Sequence, residues 1–362
     1  MKIYPDPDCI RIGGYHDAFA VAGPTPQVSA AQFAANLRRY HREAGQLPAT
    51  TIMGCFPFDT PPFRAPVELM DVAWDRGIVP QVILWPYGVC DLASILAGAW
   101  DADLRRCAGE MWVWTQGGRR PLILQWCTEV NLWLYPWGAP QNGGFAPSLL
   151  GDQPWPLGPK RYVEAYRHVH DLFTNEGVEC NWHFQGFHNW TGEPLNHLRY
   201  YFPGPAYADS IGVGIMLEPV PGSVYATFES GWSRSVQEVD EVPGAEHLPF
   251  YGEFTCKEYG GSPNLKAQFW NDVFSRAFSG EWPRVNKNGA TAGFWLSNEA
   301  LEHDDSALRS AGPRPLPKYA PLTTRALGRS ALGVNAQLGL ATSAESAAAF
   351  RACSGTEWFT NK

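Results

Sequence analysis

Eight short runs of apolar, β-branched and aromatic residues punctuate the chain: Cys9–Tyr15, Thr50–Phe56, Val79–Trp85, Leu122–Cys127, Glu179–Phe184, Ser210–Met216, Pro249–Phe254 and Ala292–Leu296. Most are nearly continuous apolar stretches, the pattern of strands buried on both faces of a parallel sheet. Helical stripes separate many of them. Ser29–Ala44 carries Phe33, Leu37, Tyr40 and Ala44 on one face, with Ser29 placed as N-cap and Gly45 as the stop. Pro66–Trp74, Asp101–Trp114 and Asn264–Phe278 fill other intervals, and Lys160–Glu176 repeats Tyr162, Tyr166, Val169 and Phe173 at helical spacing before Gly177.

Strand–helix alternation with no second composition regime predicts one parallel α/β unit. Eight repeats favour a single (β/α)8 TIM barrel over an open doubly wound sheet. No G-x-G-x-x-G follows the first strand, so no dinucleotide is expected, nor any other cofactor. The barrel is assigned to residues 1–318. Its last stretch, EHDDSALRSAGPRPLPK, is charged and Pro-rich and reads as a loop. Residues 319–362 form a C-terminal extension rich in Ala, Gly, Ser and Thr. It holds either the final barrel helix, around Ser343–Cys353, or a segment for assembly into a larger particle.

A chain of 362 residues buries a large core without staples or metals. The eight cysteines form no C-x-x-C pair and no metal-finger spacing, so they read as structural thiols and no metal is expected. A net charge of −8 and the absence of long basic runs argue against nucleic acid and anionic membranes as partners. No stretch is long and apolar enough to insert in a membrane, and the first residues, MKIYPDPDCIRIGG, do not read as a secretory leader. Localisation stays open, with extracellular or virion-associated action both compatible. The aromatic content changes the picture more: 16 Trp, 14 Tyr and 19 Phe make 14% of the chain. Such flat amphipathic side chains fill cores and also stack on the C–H faces of sugars.

In a barrel of this kind the chemistry lies at the C-terminal strand ends. The fourth run, PLILQWCTEVNLWLYPWG, delivers Glu129 and Asn131 directly after an apolar strand, followed by Trp133, Tyr135 and Trp137. The seventh, LPFYGEFTCKEY, delivers Glu253. An ionised Glu at either place is costly unless it faces a polar cavity or a partner. Lys257 is the one basic residue near either in sequence, which weighs against a simple salt bridge. Two strand-end carboxylates suit glycoside hydrolysis: retaining with the carboxyls about 5 Å apart, inverting at roughly 6.5–9.5 Å. His16 after the first run, Trp85 after the third, Trp182 and His188 around the fifth and Trp295 in the eighth are candidate sugar contacts, with Asn131 and Trp137. Core packing is the alternative for the tryptophans. His183 and His188 lie five apart, which sets them on opposite strand faces and disfavours a metal pair.

From Ala99 to Glu258 the chain resembles glycoside hydrolase family 26. PLILQWCTEVNLWLYPWG resembles its strand-four signature and GPKRYVEAYRHVHDLF the helix that follows. CNWHFQGFHN resembles its Trp-bearing fifth strand, YFPGPAYADSIGVGI its approach to strand six, and LPFYGEF its nucleophile strand. The resemblance implies a (β/α)8 barrel, Glu129 as general acid/base, Glu253 as nucleophile of a retaining mechanism, and Trp295 as an aromatic floor. The pattern departs from the family where Thr128 replaces a His, Gln125 an Arg, Met216 a Tyr and Gly214 an Asp. The implied substrate is a polysaccharide or oligosaccharide: β-mannan, β-1,3-xylan, β-glucan or, given the altered surroundings, a galactan-type glycan. A non-catalytic carbohydrate-binding barrel on a virion or surface is the second reading.

Overall fold

The computed structural model describes residues 10–16, 29–45, 47–55, 64–86, 90–189, 191–217, 227–256 and 291–298, together with Phe359–Thr360 and a few isolated positions. Its centre is a parallel sheet built from β1 (Ile10–His16), β2 (Thr50–Cys55), β3 (Val79–Leu84), β4 (Ile123–Trp126), β7 (Asn181–Phe187), β8 (Ser210–Leu217), β9 (Phe250–Cys256) and β10 (Thr291–Asn298). Each pairs with the next, and the sheet curls until β10 also lies parallel to β1, from Arg11 opposite Gly293 to His16 opposite Asn298. The two-residue strand β11 (Phe359–Thr360), from the expected extension, joins the start of β1.

Helices α1 (Ala30–Ala44), α2 (Val67–Trp74), α3 (Leu92–Leu96), α4 (Asp101–Thr115), α5 (Leu157–Asn175) and α6 (Phe228–Asp240) follow individual strands. α1 starts as its sequence predicts: the Ser29 side chain accepts from the Gln32 N–H, and Gly45 closes the helix in left-handed backbone. Capping boxes start α3 (Asp91 with Ser94) and α6 (Thr227 with Ser230). The expected helix Asn264–Phe278 and the candidate helix Ser343–Cys353 lie outside the described residues. One interval breaks the alternation: β7 and β8 are joined by two short 3-10 turns, Pro194–Asn196 and Leu198–Tyr200. Another holds an antiparallel hairpin, β5 (Pro147–Leu150) and β6 (Gln153–Pro156).

Two cores follow from the alternation of strand side chains. Val82, Leu84, Leu124, Trp126, Trp182, Phe184, Ile211, Val213 and Phe250 point outward and pack with the helices in one large cluster. Inside the curled sheet the apolar cluster is small, Ile52, Ile83 and Tyr251 with Trp85 packed against it. The remaining interior is polar, with Gln81, Gln125, His183 and Gln185 all buried. The three glutamines are linked by hydrogen bonds to one another and on to Glu253, and His183 is held by Ser210.

Candidate active site

β4 ends at Trp126, and the chain then bends sharply. Cys127 and Glu129 have φ of 60° and 44°, left-handed backbone that non-glycine residues seldom adopt. The bend is pinned on several sides. The Cys127 N–H continues the ladder to Leu84 O at 2.9 Å, and the Trp137 indole donates to Thr128 O at 2.8 Å. Asn131 grips the end of β7: its Oδ1 accepts from the Phe187 N–H at 2.7 Å while its Nδ2 donates to Phe187 O at 2.6 Å. Asn196 in turn donates to Asn131 O at 2.9 Å and accepts from the Tyr201 hydroxyl at 2.7 Å.

This turn delivers Glu129 toward Glu253. Both carboxylates are half-buried. On β8, Gly214 pairs with Glu253, and a Cβ added to that glycine would lie 3.5 Å from Glu129 Oε1. It would also meet the Phe187 ring at 2.6 Å, so the absent side chain leaves the space that both groups use. Their partners differ. The Tyr135 hydroxyl, stacked on Trp137 at 4.6 Å, donates to Glu129 Oε2 at 2.8 Å. The Gln185 amide donates to Glu253 Oε2.

Burial, and after it the neighbouring Glu253 charge, raises the Glu129 carboxyl well above the ordinary range, with the Tyr135 hydroxyl pulling down. Burial raises Glu253 as well, against the Gln185 amide. His183, also inside the sheet, is held by the Ser210 hydroxyl at 2.9 Å, and burial lowers it to about 3, so it is a neutral imidazole. Among the described residues no group of three His, Cys, Asp or Glu side chains is placed to hold a metal.

Of the expected sugar contacts, four are buried side chains. Asn131 spends its amide on Phe187, and Trp137 lies beneath Tyr135. Trp182 faces outward, against Tyr166 and Phe173 of α5, because it alternates with the inward His183. His188 is buried at the end of β7, and burial followed by Arg234 lowers it to about 4. Those four are therefore supports or core rather than a sugar-facing surface. Trp85 is half-buried at the end of β3 and packs on Tyr251, two residues before Glu253. Trp295 pairs with Glu253 through the backbone, and His16 ends β1 beside Asn298; both side chains lie outside the described residues, as does that of Met216. Tyr135 and Gln185, which touch the two carboxylates, escaped the sequence reading. Extending the fifth run to Phe187 in strict alternation would have turned Gln185 inward with His183. A separate groove of about 630 Å³, lined by Asp71, Glu110, Trp114 and Arg120, lies in the helical layer at α2 and α4, not at the strand ends.

No protein-family profile matches the chain, and no curated protein does. Solved structures do. The catalytic domain of the GH26 endo-β-1,4-mannanase of Bacillus sp. JAMB-750 superimposes with a TM-score of 0.60 at 15% identity, covering 97% of this chain and 87% of that one. GH26C from a Muricauda species gives 0.58 at 11% identity, covering 97% and 87%. The modular endo-β-1,4-mannanase of Cellulomonas fimi gives 0.55 at 14% identity, covering 98% and 72%. The chain thus has an α/β fold of the GH26 kind, at a sequence distance that speaks for the fold alone.

Proposed function

We propose that this chain is a retaining glycoside hydrolase, a divergent relative of family 26, acting on a β-linked polysaccharide. The observation that carries the reading is the pairing of Glu129, just past the end of β4, with Glu253 within β9, both half-buried, near enough for one charge to raise the other carboxyl, and differently partnered. Residues 1–318 make a complete (β/α)8 barrel in this reading, and residues 319–362 are an extension that returns to the sheet through β11.

Glu253, ionised, attacks the anomeric carbon while Glu129 gives its proton to the departing glycosidic oxygen. A glycosyl ester on Glu253 results. Glu129, now a carboxylate, takes a proton from water as that water attacks the same carbon, and Glu253 leaves as a carboxylate. Trp85 and Tyr135 are the aromatic sugar contacts in this scheme, and Trp295 and His16 are further candidates by their positions in the sequence. β-1,4-Mannan is the first substrate to try, because two of the structural neighbours are endo-β-1,4-mannanases. β-1,3-Xylan, β-glucan and galactans complete the panel. The test is release of reducing sugar by the purified protein, with Glu253→Ala as control. Release by the wild type and a loss of at least about 1,000-fold in the variant is expected; equal release by both removes Glu253 from the reaction. Binding to a glycan without release leaves a carbohydrate-binding barrel instead.

A further inference from the structure

Gln185 is the last link of a chain that crosses the inside of the sheet. The Gln81 amide on β3 donates to Gln125 Oε1 on β4 at 2.7 Å, and Gln125 Nε2 donates to Gln185 Oε1 on β7 at 3.1 Å. Gln185 Nε2 then donates to Glu253 on β9. The second N–H of Gln125 is given to Cys127 O at 2.8 Å, within the strained bend that carries Glu129.

The direction of this chain is set from both ends. A main-chain carbonyl only accepts, so the Gln125 atom beside Cys127 O is nitrogen, which turns its oxygen toward Gln81. That nitrogen also faces Gln185, which must present oxygen to it and nitrogen to Glu253. An ionised carboxylate only accepts, so it completes the chain without conflict. Every link is a buried amide with one satisfactory orientation, and aligned amides polarise one another.

We propose that Gln125 is a positioning residue which couples the two catalytic carboxylates, fixing the Glu129 bend through Cys127 and the Glu253 carboxylate through Gln185. This inference rests on the assignment of Glu253 as nucleophile. A neutral relay of amides performs the orienting task without placing a cation beside the pair, so Glu129 keeps its proton while Glu253 is held as an acceptor. Beside Glu253 stand Glu129 from the β4 bend, the Gln185 amide from β7 and Gly214 from β8, with the Trp295 backbone paired to it from β10; Tyr251 lies two residues before it on β9. Glu129 is the other carboxyl of that set.

The test uses the full chain with its glutamate carboxyls labelled with ¹³C, comparing wild type, Gln125→Leu and Gln185→Met. The Glu253 signal is assigned by its disappearance in Glu253→Gln, and circular dichroism establishes that each variant is folded. Both variants should move the Glu253 titration midpoint to higher pH, because each cuts donation to its ionised form. In parallel, kcat/KM should fall by about 10-fold or more with its acid limb displaced the same way. A Glu253 midpoint unmoved in Gln125→Leu overturns the relay, whatever the activity. If that variant does not fold, an unmoved midpoint in Gln125→Met, which keeps the side chain's length without its amide, overturns it equally. A moved midpoint in a protein that cleaves no glycan supports the relay and removes the hydrolase reading instead.

Discussion

Glu129 occupies left-handed backbone at a strand end, a conformation that costs on the order of 1–3 kcal/mol and persists only where neighbours over-determine it. Here the neighbours are Asn131, Trp137 and Cys127, each hydrogen-bonded across the bend. Tyr135 adds control of the proton. Its hydroxyl stabilises the ionised form of Glu129, so Tyr135→Phe should raise the Glu129 carboxyl further and carry the alkaline limb of kcat/KM to higher pH. A limb that stays in place would detach Tyr135 from the acid. Gly214→Ala would drive a methyl into the Phe187 ring and crowd Glu129. The expected loss is about 10- to 100-fold in kcat, read beside a KM that changes far less. Glu129 and Glu253 stand out in the sequence because a Glu in or just after an apolar strand has to be accounted for. Tyr135 does not, since its contact depends on the chain turning back six residues later.

At the scale of elements, the β7–β8 connection matters most. Lacking a helix, it is tied down by side chains: Glu238 of α6 accepts from the Leu198 N–H at 2.6 Å and from the Asn189 N–H at 3.2 Å. Glu238→Ala leaves both donors buried and should cost about 1–3 kcal/mol for each in chemical denaturation. Burial raises the Glu238 carboxyl to about 7. A folded value above the unfolded one means that the folded state binds the proton more tightly. The stabilisation is then present at low pH and lost as pH rises through 7. The thermal midpoint should therefore fall between about pH 4.5 and 7 more steeply in wild type than in Glu238→Gln; parallel curves would contradict this. Most strands were legible from their continuous apolar runs. The fifth run stops at Phe184, three residues short of the end of β7, because polar Gln185 follows, and Gln185 faces the interior with His183. Trp182 was misread as a sugar contact for the same reason, since the face of a residue follows only once the strand's length is known.

For the whole molecule, the parallel sheet and its order were legible because apolar runs alternate with helical stripes. What the sequence hid is the chemistry of the sheet's interior, where glutamines on three different strands meet only after the sheet has curled. Gln125 read alone is merely a residue that departs from a pattern; beside Gln81 and Gln185 it is the middle of a relay. The central claim is that Glu129 and Glu253 act as acid/base and nucleophile on one glycosidic bond. Its most direct test is azide rescue of Glu129→Ala and Glu253→Ala, using an aryl glycoside of whichever sugar the polysaccharide panel identifies. The account predicts that azide restores turnover in both and yields glycosyl azides of opposite configuration by proton NMR, retained with Glu129→Ala and inverted with Glu253→Ala. The same configuration from both variants, or full activity in either without azide, would contradict it.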